Sequence, residues 1–360
     1  MGKRYRIIIL IMLVLFCSLN LVNVTAEDTR TVVDMAGRKV IIPRKVTKVF
    51  STSPMGTIFM YTLAPDKIAG LSWPVTEMEQ RYTLESFQKL PLLGGAFGGK
   101  LDTTNYEQII KVKPEFILAL GDIDQLTIDS ANRLQVKLNI PVLIYDGNYE
   151  KTGEVYQVLG EILDVPGRAS KLASYWCKVT AETQKVIANI PVPKRVKVYY
   201  AEGVNGLETD PNGSRHAEVL TICGGINVAE VPEQRGYGRT QVYMEQLLAW
   251  NPDLILVCSD QGFSQDRFYS KIFNDPLWAN LKAIKTKEVY EIPFAPFNWF
   301  DRPPSVNRII GVVWLRHLLY PQYFKTNIER DTKDFYQLFY HRKLTETEIE
   351  DILGNSLRKK

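Results

Sequence analysis

Residues 105–119 read NYEQIIKVKPEFILA, and residues 243–257 read YMEQLLAWNPDLILV. Both stretches contain Glu-Gln, two aliphatic residues, a three-residue spacer, a proline, an acidic residue and an apolar run, in that order. The first part has the pattern of a short amphipathic helix, which a proline does not continue. The apolar run is typical of a parallel strand covered on both faces. Because the unit occurs twice, 138 residues apart, it predicts two lobes of the same α/β architecture.

Further apolar runs predict the neighbouring strands of each lobe. Residues 48–51 would open the first lobe and residues 196–200 the second, while residues 117–120 and 142–145 flank a helical pattern. Such βαβ alternation indicates parallel sheets, and ligands of these sheets bind beyond the carboxyl ends of the strands. The predicted fold class is therefore α/β, with two Rossmann-like βα lobes and a ligand cleft between them.

One long helix is predicted between the lobes. Residues 167–190 contain no proline and carry apolar residues at helical spacing, which predicts about 23 residues and roughly 35 Å of helix. Pro191 ends this helix, and residues after 325 have the pattern of a terminal helical appendage. The expected organisation is a signal peptide at 1–26, an N-terminal lobe at 27–165, a linking helix at 166–191, a C-terminal lobe at 192–325 and a helical tail at 326–360.

The composition argues against a nucleic-acid-binding protein. The chain has 360 residues, a hydrophobic content of 45% and a net charge of +4, which includes Lys3, Arg4 and Arg6. Removing the leader with these three residues would leave 41 basic and 40 acidic residues, so the surface would be almost neutral. Nucleic-acid binding requires clustered positive charge.

The first 26 residues have the pattern of a secretory signal. A basic start precedes an apolar run from Ile7 to Cys17, and a small-residue cleavage pattern ends at Ala26. The alternative is a lipid anchor at Cys17, but Phe16 stands where a small residue normally precedes such a cysteine. We favour cleavage after Ala26, which predicts an exported protein on the periplasmic or extracytoplasmic face.

Residues for chemistry are sparse. The remaining cysteines Cys177, Cys223 and Cys258 lack CxxC spacing, and the three histidines are scattered, so no zinc, redox or other resident metal site or cofactor is expected. The sequence also lacks a Gly-x-Ser-x-Gly elbow. These features favour capture of a solute over catalysis, and we expect no enzyme.

Several motifs resemble the class III periplasmic binding proteins of ABC importers. The segment 33–43, VDMAGRKVIIP, is similar to the initial hairpin of that family, and 92–94 with 105–115 are similar to its first-lobe signature. Ser214, Glu218 and the segment 224–229 are similar to its second-lobe signature. The resemblance covers residues 30–325. It implies a monomer with two lobes joined by one long helix, an ABC permease with its ATPase as partners, and a small anionic ligand.

The resemblance also implies one permease-docking glutamate in each lobe. Glu218 fits this role in the second lobe. The expected first-lobe acid is absent near Thr57, which leaves either asymmetric docking or a substitute among other acidic residues: Glu77, Glu79, Glu85 and, as a weaker candidate that could cap its own helix, Glu107.

The candidate ligand-binding residues lie on loops after the predicted strands. Arginines present a planar fork of donors to carboxylates, catecholates or oxyanions, and aromatic side chains supply flat apolar contact. The second-lobe candidates stand on two loops, one rich in glycine and one rich in aromatic residues, and on the first strand with its following loop: Arg235, Tyr237, Arg239; Trp299, Phe300, Arg302; Tyr200, His216. The first-lobe candidates are Met55 and Trp73.

The ligand class is left open between members of the same family. A metal chelate of the ferric siderophore type is the first choice, because arginines and aromatics suit a bound chelate better than a free metal ion. Molybdate or tungstate comes next, followed by cobalamin or haem. The alternative of another class is a chelatase-like enzyme on the same fold.

Overall fold

The computed structural model describes residues 28–95, 103–234, 238–258 and 267–358. The predicted signal segment lies outside them. The described chain begins with an antiparallel hairpin of β1 (Thr29–Val33) and β2 (Lys39–Pro43), in which Thr29 is opposite Pro43. Asp34 closes the turn, since its carboxylate accepts from the Arg38 backbone at 3.0 Å and from its guanidinium at 2.7 Å.

The first half of the chain forms a three-stranded parallel sheet in the order β3-β4-β5. Its strands are β3 (Val49–Ser51), β4 (Phe116–Gly121) and β5 (Val142–Asp146), with Ile117 paired to Val142. The described residues of this half form the α-helices α1 (Pro54–Leu63), α2 (Glu77–Tyr82), α3 (Glu85–Gln88), α4 (Tyr106–Val112), α5 (Gln125–Leu138) and α6 (Thr152–Ile162). The strands are almost entirely buried, as the continuous apolar runs predict.

The second half contains a four-stranded parallel sheet in the order β11-β10-β6-β8, with a short antiparallel pair, β7-β9, beside it. The strands are β6 (Lys197–Ala201), β7 (Glu208–Thr209), β8 (Ile226–Asn227), β9 (Thr240–Gln241), β10 (Leu254–Val257) and β11 (Val289–Glu291). Between the halves runs α7 (Pro166–Ile187). The second half includes α8 (Glu218–Ile222), α9 (Met244–Trp250), α10 (Phe268–Lys271) and α11 (Lys282–Lys285).

The sequence repeat is a structural repeat. In the first copy α4 ends at Lys113 and leads into β4, and in the second α9 ends at Asn251 and leads into β10. Both capping residues have left-handed backbone, with φ of 55° and 41°. A left-handed residue before a proline turns the chain out of the helix and into the strand.

The long helix α7 begins with Pro166 and ends at Ile187, slightly before the predicted residue 190. Proline suits the first helical turn because that position has no intrahelical donor to lose. The helix packs against α6 and α1 of the first half and against α12 (Arg308–Leu319) of the second. No helix among the described residues has the length and apolar character needed to cross a bilayer.

The C-terminal tail differs from the expected appendage on one lobe. Its helices are α13 (Ile328–Phe339) and α14 (Glu346–Leu353), and Thr345 forms the predicted capping box. Tyr61 of α1 donates to the Tyr340 carbonyl at 3.1 Å, and Trp314 of α12 donates to the Ser356 carbonyl at 2.9 Å. The tail therefore contacts both halves, because its aromatic residues are fully buried in the main core.

Candidate functional site

A cavity of about 920 Å³ opens between the two halves. On the first half it is bounded by residues that follow β3, β4 and β5, and on the second by the 213–218 segment and by the loop after β11. Both parallel sheets therefore direct loops toward it, as expected for ligand sites in open α/β sheets. The lining includes Met55, Trp73, Asp122, Arg215, His216 and Arg302.

Arg302 is the most strongly held cation of the cavity wall. Its Nε donates to Glu202 Oε1 at 2.8 Å and its Nη2 donates to Asp210 Oδ2 at 2.9 Å, while Asp301 Oδ2 lies 3.3 Å from its Nε. All three carboxylates are fully buried, and the Arg302 side chain is 8% exposed. Burial alone would lower the pKa of Arg302, but Asp301 and Glu202 raise it above its ordinary value.

The carboxyl group of Glu202 in this network has a strongly raised pKa. Burial raises the pKa of Glu202 well above its ordinary value, although Arg302 acts in the opposite direction. Nearby Asp210 and Asp301 raise that pKa further, because like charges disfavour ionisation. The network therefore surrounds Arg302 with buried carboxyl groups, which offset its charge at the cavity wall.

His216 lines the cavity beside this network. Its Nδ1 lies 2.6 Å from Asp301 Oδ1. Burial lowers the pKa of His216, but the hydrogen bond and charge of Asp301 outweigh it and raise the pKa above its ordinary value. The ligating atoms of Asp210, His216 and Asp301 lie within 4.8 Å of one another, so this set could hold a metal ion. Because Arg302 pairs with both aspartates and His216 pairs with Asp301, these groups already form a charge network.

The first-half wall combines apolar and polar side chains. Met55, at the start of α1, lines the cavity and is 8% exposed. Trp73 also lines it, and its Nε1 donates to both oxygens of Glu79 at 3.1 Å. The Trp73 ring meets Phe297 of the second half edge to face, with ring centroids 5.9 Å apart. Burial raises the pKa of Glu79 despite hydrogen bonds from Thr76 and Trp73.

Among the described residues, four predicted contact residues are absent from the cavity lining, and three of them are aromatic. Trp299, Phe300 and Tyr200 are fully buried, and the Phe300 and Tyr200 rings pack together with centroids 5.0 Å apart. Gly311 of α12 leaves room for the backbone carbonyl of Trp299, so that helix packs directly against the loop. Their rings point into the core behind the wall, and their contact with a ligand stays a prediction.

The glycine-rich loop is described only in part. Arg235 and Tyr237 lie outside the described residues. Arg239 is 16% exposed and does not line the cavity; its Nε lies 3.7 Å from Glu202 Oε1 and its Nη1 lies 3.7 Å from Glu208 Oε2. Arg239 therefore supports the Arg302 network from behind.

Glu218 lies at the cavity between the two halves. It lines the cavity, forms an ion pair with Arg308 and accepts from the Tyr149 backbone of the first half at 3.3 Å. Arg308 in turn donates to the Gly147 carbonyl at 2.8 Å. Since the Glu218 side chain is 22% exposed and engaged on both sides, it joins the two halves at the cavity, and its role in permease docking stays a prediction.

Two functional cations were missed by the sequence argument. Arg308 lies at the start of a helix and is buried, with no local signal of its role. Arg215 directly precedes the candidate His216 and lines the cavity, so its place on the same loop could have indicated it. It forms an ion pair with Asp122 of the first half, and its Nη2 donates to Asn148 Oδ1 at 2.9 Å.

Comparison with known proteins agrees with this architecture. Residues 72–296 match the family model of the periplasmic binding proteins. The molybdate-binding protein MolA of Haemophilus influenzae is 25% identical, over 91% of this chain and 95% of that protein. The vitamin B12-binding protein of Salmonella typhi is 28% identical, over 55% of this chain and 66% of that protein.

Among solved structures, an ABC transporter solute binding protein from Sulfurospirillum deleyianum superimposes with a TM-score of 0.82 and 31% identity, over 90% of this chain and 99% of that one. This confirms the predicted α/β fold class and the resemblance drawn from the motifs. With the family model covering well over half of its residues, the chain belongs to the periplasmic binding protein family.

Proposed function

We propose that this periplasmic binding protein captures a metal chelate of the ferric siderophore type and delivers it to the permease of an ABC importer. The observation that carries the proposal is the cavity of about 920 Å³ with walls from both halves. Sites of roughly 300–1,000 Å³ enclose organic molecules of drug size. A bare tetrahedral oxyanion would leave most of this volume filled with water.

The chemistry of the two walls supports the same ligand class. Trp73 and Phe297 supply flat aromatic surface at the junction of the halves, which suits the organic framework of a chelate. Arg215 supplies a partly exposed guanidinium for anionic oxygen atoms.

A second candidate, an oxyanion such as molybdate or tungstate, is favoured by one specific finding. The molybdate-binding relative matches 91% of this chain, whereas the vitamin B12-binding relative matches 55%. An oxyanion would need the cavity to close further around it, so that Arg215 and His216 could both donate to it.

Ligand titration tests the function and separates the candidates. We would measure calorimetric binding and tryptophan fluorescence with ferric enterobactin, ferrichrome, molybdate, tungstate, cyanocobalamin and haemin. Saturable binding of a ferric siderophore is expected, with quenching of Trp73 in the cavity wall. The matched variant Trp73→Phe should lose most of the quenching and keep most of the calorimetric affinity. Binding of molybdate alone would replace the first candidate by the second.

For permease docking we propose Glu107 and Glu245 as alternatives to Glu218. They occupy the same position of the repeated unit, near the starts of α4 and α9, and both are exposed. Asn105 caps α4 through its side chain, so Glu107 is not used as that cap. The repeat thus presents one exposed acid on each half, as a permease with two similar subunits would require.

Uptake by reconstituted transporter vesicles tests this surface. Glu107→Ala and Glu245→Ala should each reduce uptake and leave ligand affinity unchanged, since neither residue lines the cavity. Glu161→Ala removes an exposed acid from α6, outside the repeat, and serves as the control. Normal uptake by the double variant would reject the assignment.

A further inference from the structure

Two arginines that line the cavity have contrasting surroundings. Arg302 is surrounded by the fully buried carboxylates of Glu202, Asp210 and Asp301, all within 3.3 Å. Arg215 is 16% exposed, and its acidic partner Asp122 is 69% exposed. An ion pair with a buried carboxylate is costly to break, whereas a pair with a solvated carboxylate is weak and exchanges readily.

The partners of Arg215 also lie across the cavity. Arg215 belongs to the second half, in the turn before α8, whereas Asp122 follows β4 and Asn148 follows β5 of the first half. Asp122 and Arg215 both line the cavity. The carboxylate of Asp122 therefore holds the guanidinium within the cavity, where an anionic group of a bound solute could also meet it.

We propose that Arg215 determines the preference for anionic solutes by exchanging its partner. In the unliganded protein Asp122 holds the guanidinium, and an anionic oxygen of the solute displaces that carboxylate on binding. Asp122 is thus an internal competitor that weakens every anionic ligand and leaves neutral ligands unaffected. The inference rests on the proposed function and adds the residue pair that sets its charge selectivity.

Calorimetry with charge-matched variants tests the exchange. The ligands are ferric enterobactin and molybdate as anions and ferrichrome as a neutral chelate. For whichever anion the wild type binds, Asp122→Asn should tighten binding about two- to five-fold, because it removes a solvated competitor. Arg215→Gln should weaken the same anion by about tenfold or more, since a charged hydrogen-bond donor is lost.

Two controls separate exchange from a general change of charge. Glu233→Gln removes an equal negative charge from the exposed part of the cavity lining, and it should alter anion affinity less than Asp122→Asn. In the Arg215→Gln background, Asp122→Asn should give no further tightening, because the competitor then has no cation to release.

The outcomes distinguish the two levels of the proposal. Tighter anion binding by Asp122→Asn, absent in the Arg215→Gln background and absent for ferrichrome, supports the exchange. Equal affinities of wild type and Asp122→Asn for a bound anion overturn it while the proposed function stands. Equal tightening by Glu233→Gln also overturns it in favour of bulk charge. Absence of saturable binding by all three ligands rejects the proposed function for these classes and the exchange with it.

Discussion

The first half of the molecule brings Met55 and Trp73 to the cavity, whereas the second half brings Arg302 and His216. The first wall joins these apolar side chains to polar groups such as Asp122. The second wall is charged, and its charges are compensated by carboxylates buried behind it. A solute that contacts both Trp73 and Arg215 would touch both halves, which couples its binding to their relative position.

The contrast also separates residues that hold the walls from residues that meet a solute. Arg302 and Arg308 are almost fully buried, and their partners are protein groups. Trp73 and Arg215 are more accessible, and each has a contact that reaches the opposite half. Substitutions should consequently divide into those that change stability and those that change affinity.

The largest expected effect comes from removing Arg302, the central cation of the second wall. Arg302→Met should reduce the free energy of unfolding by about 3–5 kcal/mol, because buried carboxylates lose their counter-charge. Urea denaturation at neutral pH measures it, and Arg302→Lys, which keeps the charge, should lose less. An unchanged denaturation midpoint for Arg302→Met would contradict the expected contrast between the two walls.

Loss of the Glu218–Arg308 ion pair, which joins the two walls, should have the next largest effect on stability. Glu218→Gln leaves the Arg308 guanidinium, which is 3% exposed, without its carboxylate. We expect a loss of about 2 kcal/mol in the free energy of unfolding, since the buried partner remains. The solvated pair of Arg215 and Asp122 provides the comparison. Asp122→Asn should lower the free energy of unfolding by less than about 1 kcal/mol. An equal loss of unfolding free energy in Glu218→Gln and Asp122→Asn would contradict the distinction between the buried pair and the solvated pair.

The titration of His216 sharpens the description of the second wall. Burial lowers its pKa and Asp301 raises it by more, so the folded value lies above the ordinary 6.5. The protonated ring stabilises the fold below its ordinary pKa, and this contribution is lost as the pH rises through the raised folded value. Asp301→Asn should lower the pKa of His216, because burial and the Arg302 charge both lower it and only the charge of Asp210 would then raise it. Ring-proton chemical shifts followed against pH measure the pKa, and an unchanged value would rule out the Asp301 pairing.

The smallest effect is expected at the first wall. Trp73→Phe keeps an aromatic ring but removes the indole donor to Glu79. The carboxyl retains the Thr76 backbone donor, so the free energy of unfolding should fall by only about 1 kcal/mol. Thermal unfolding in parallel with Arg302→Met provides the test. A loss as large as that of Arg302→Met would remove the contrast between the walls.

Some features of the site followed from the sequence and others did not. Met55, Trp73, His216 and Arg302 were predicted as ligand-binding residues because they stand on loops after predicted strands, and all four line the cavity. Their contact with a ligand stays a prediction. Trp299 stands on such a loop too, but its ring points into the core, since loop position does not determine side-chain direction.

The sequence by itself determined the two parallel sheets, because a repeated helix–proline–apolar strand unit is a local pattern with one favourable packing. It also determined the long helix, whose ends are marked by prolines. Only the tertiary structure decided the charge partners, such as Arg302 with Asp210, 92 residues away, and Glu218 with the first half. Ion pairs and burial depend on which segments, distant in sequence, the fold brings together. A local sequence pattern does not contain that information.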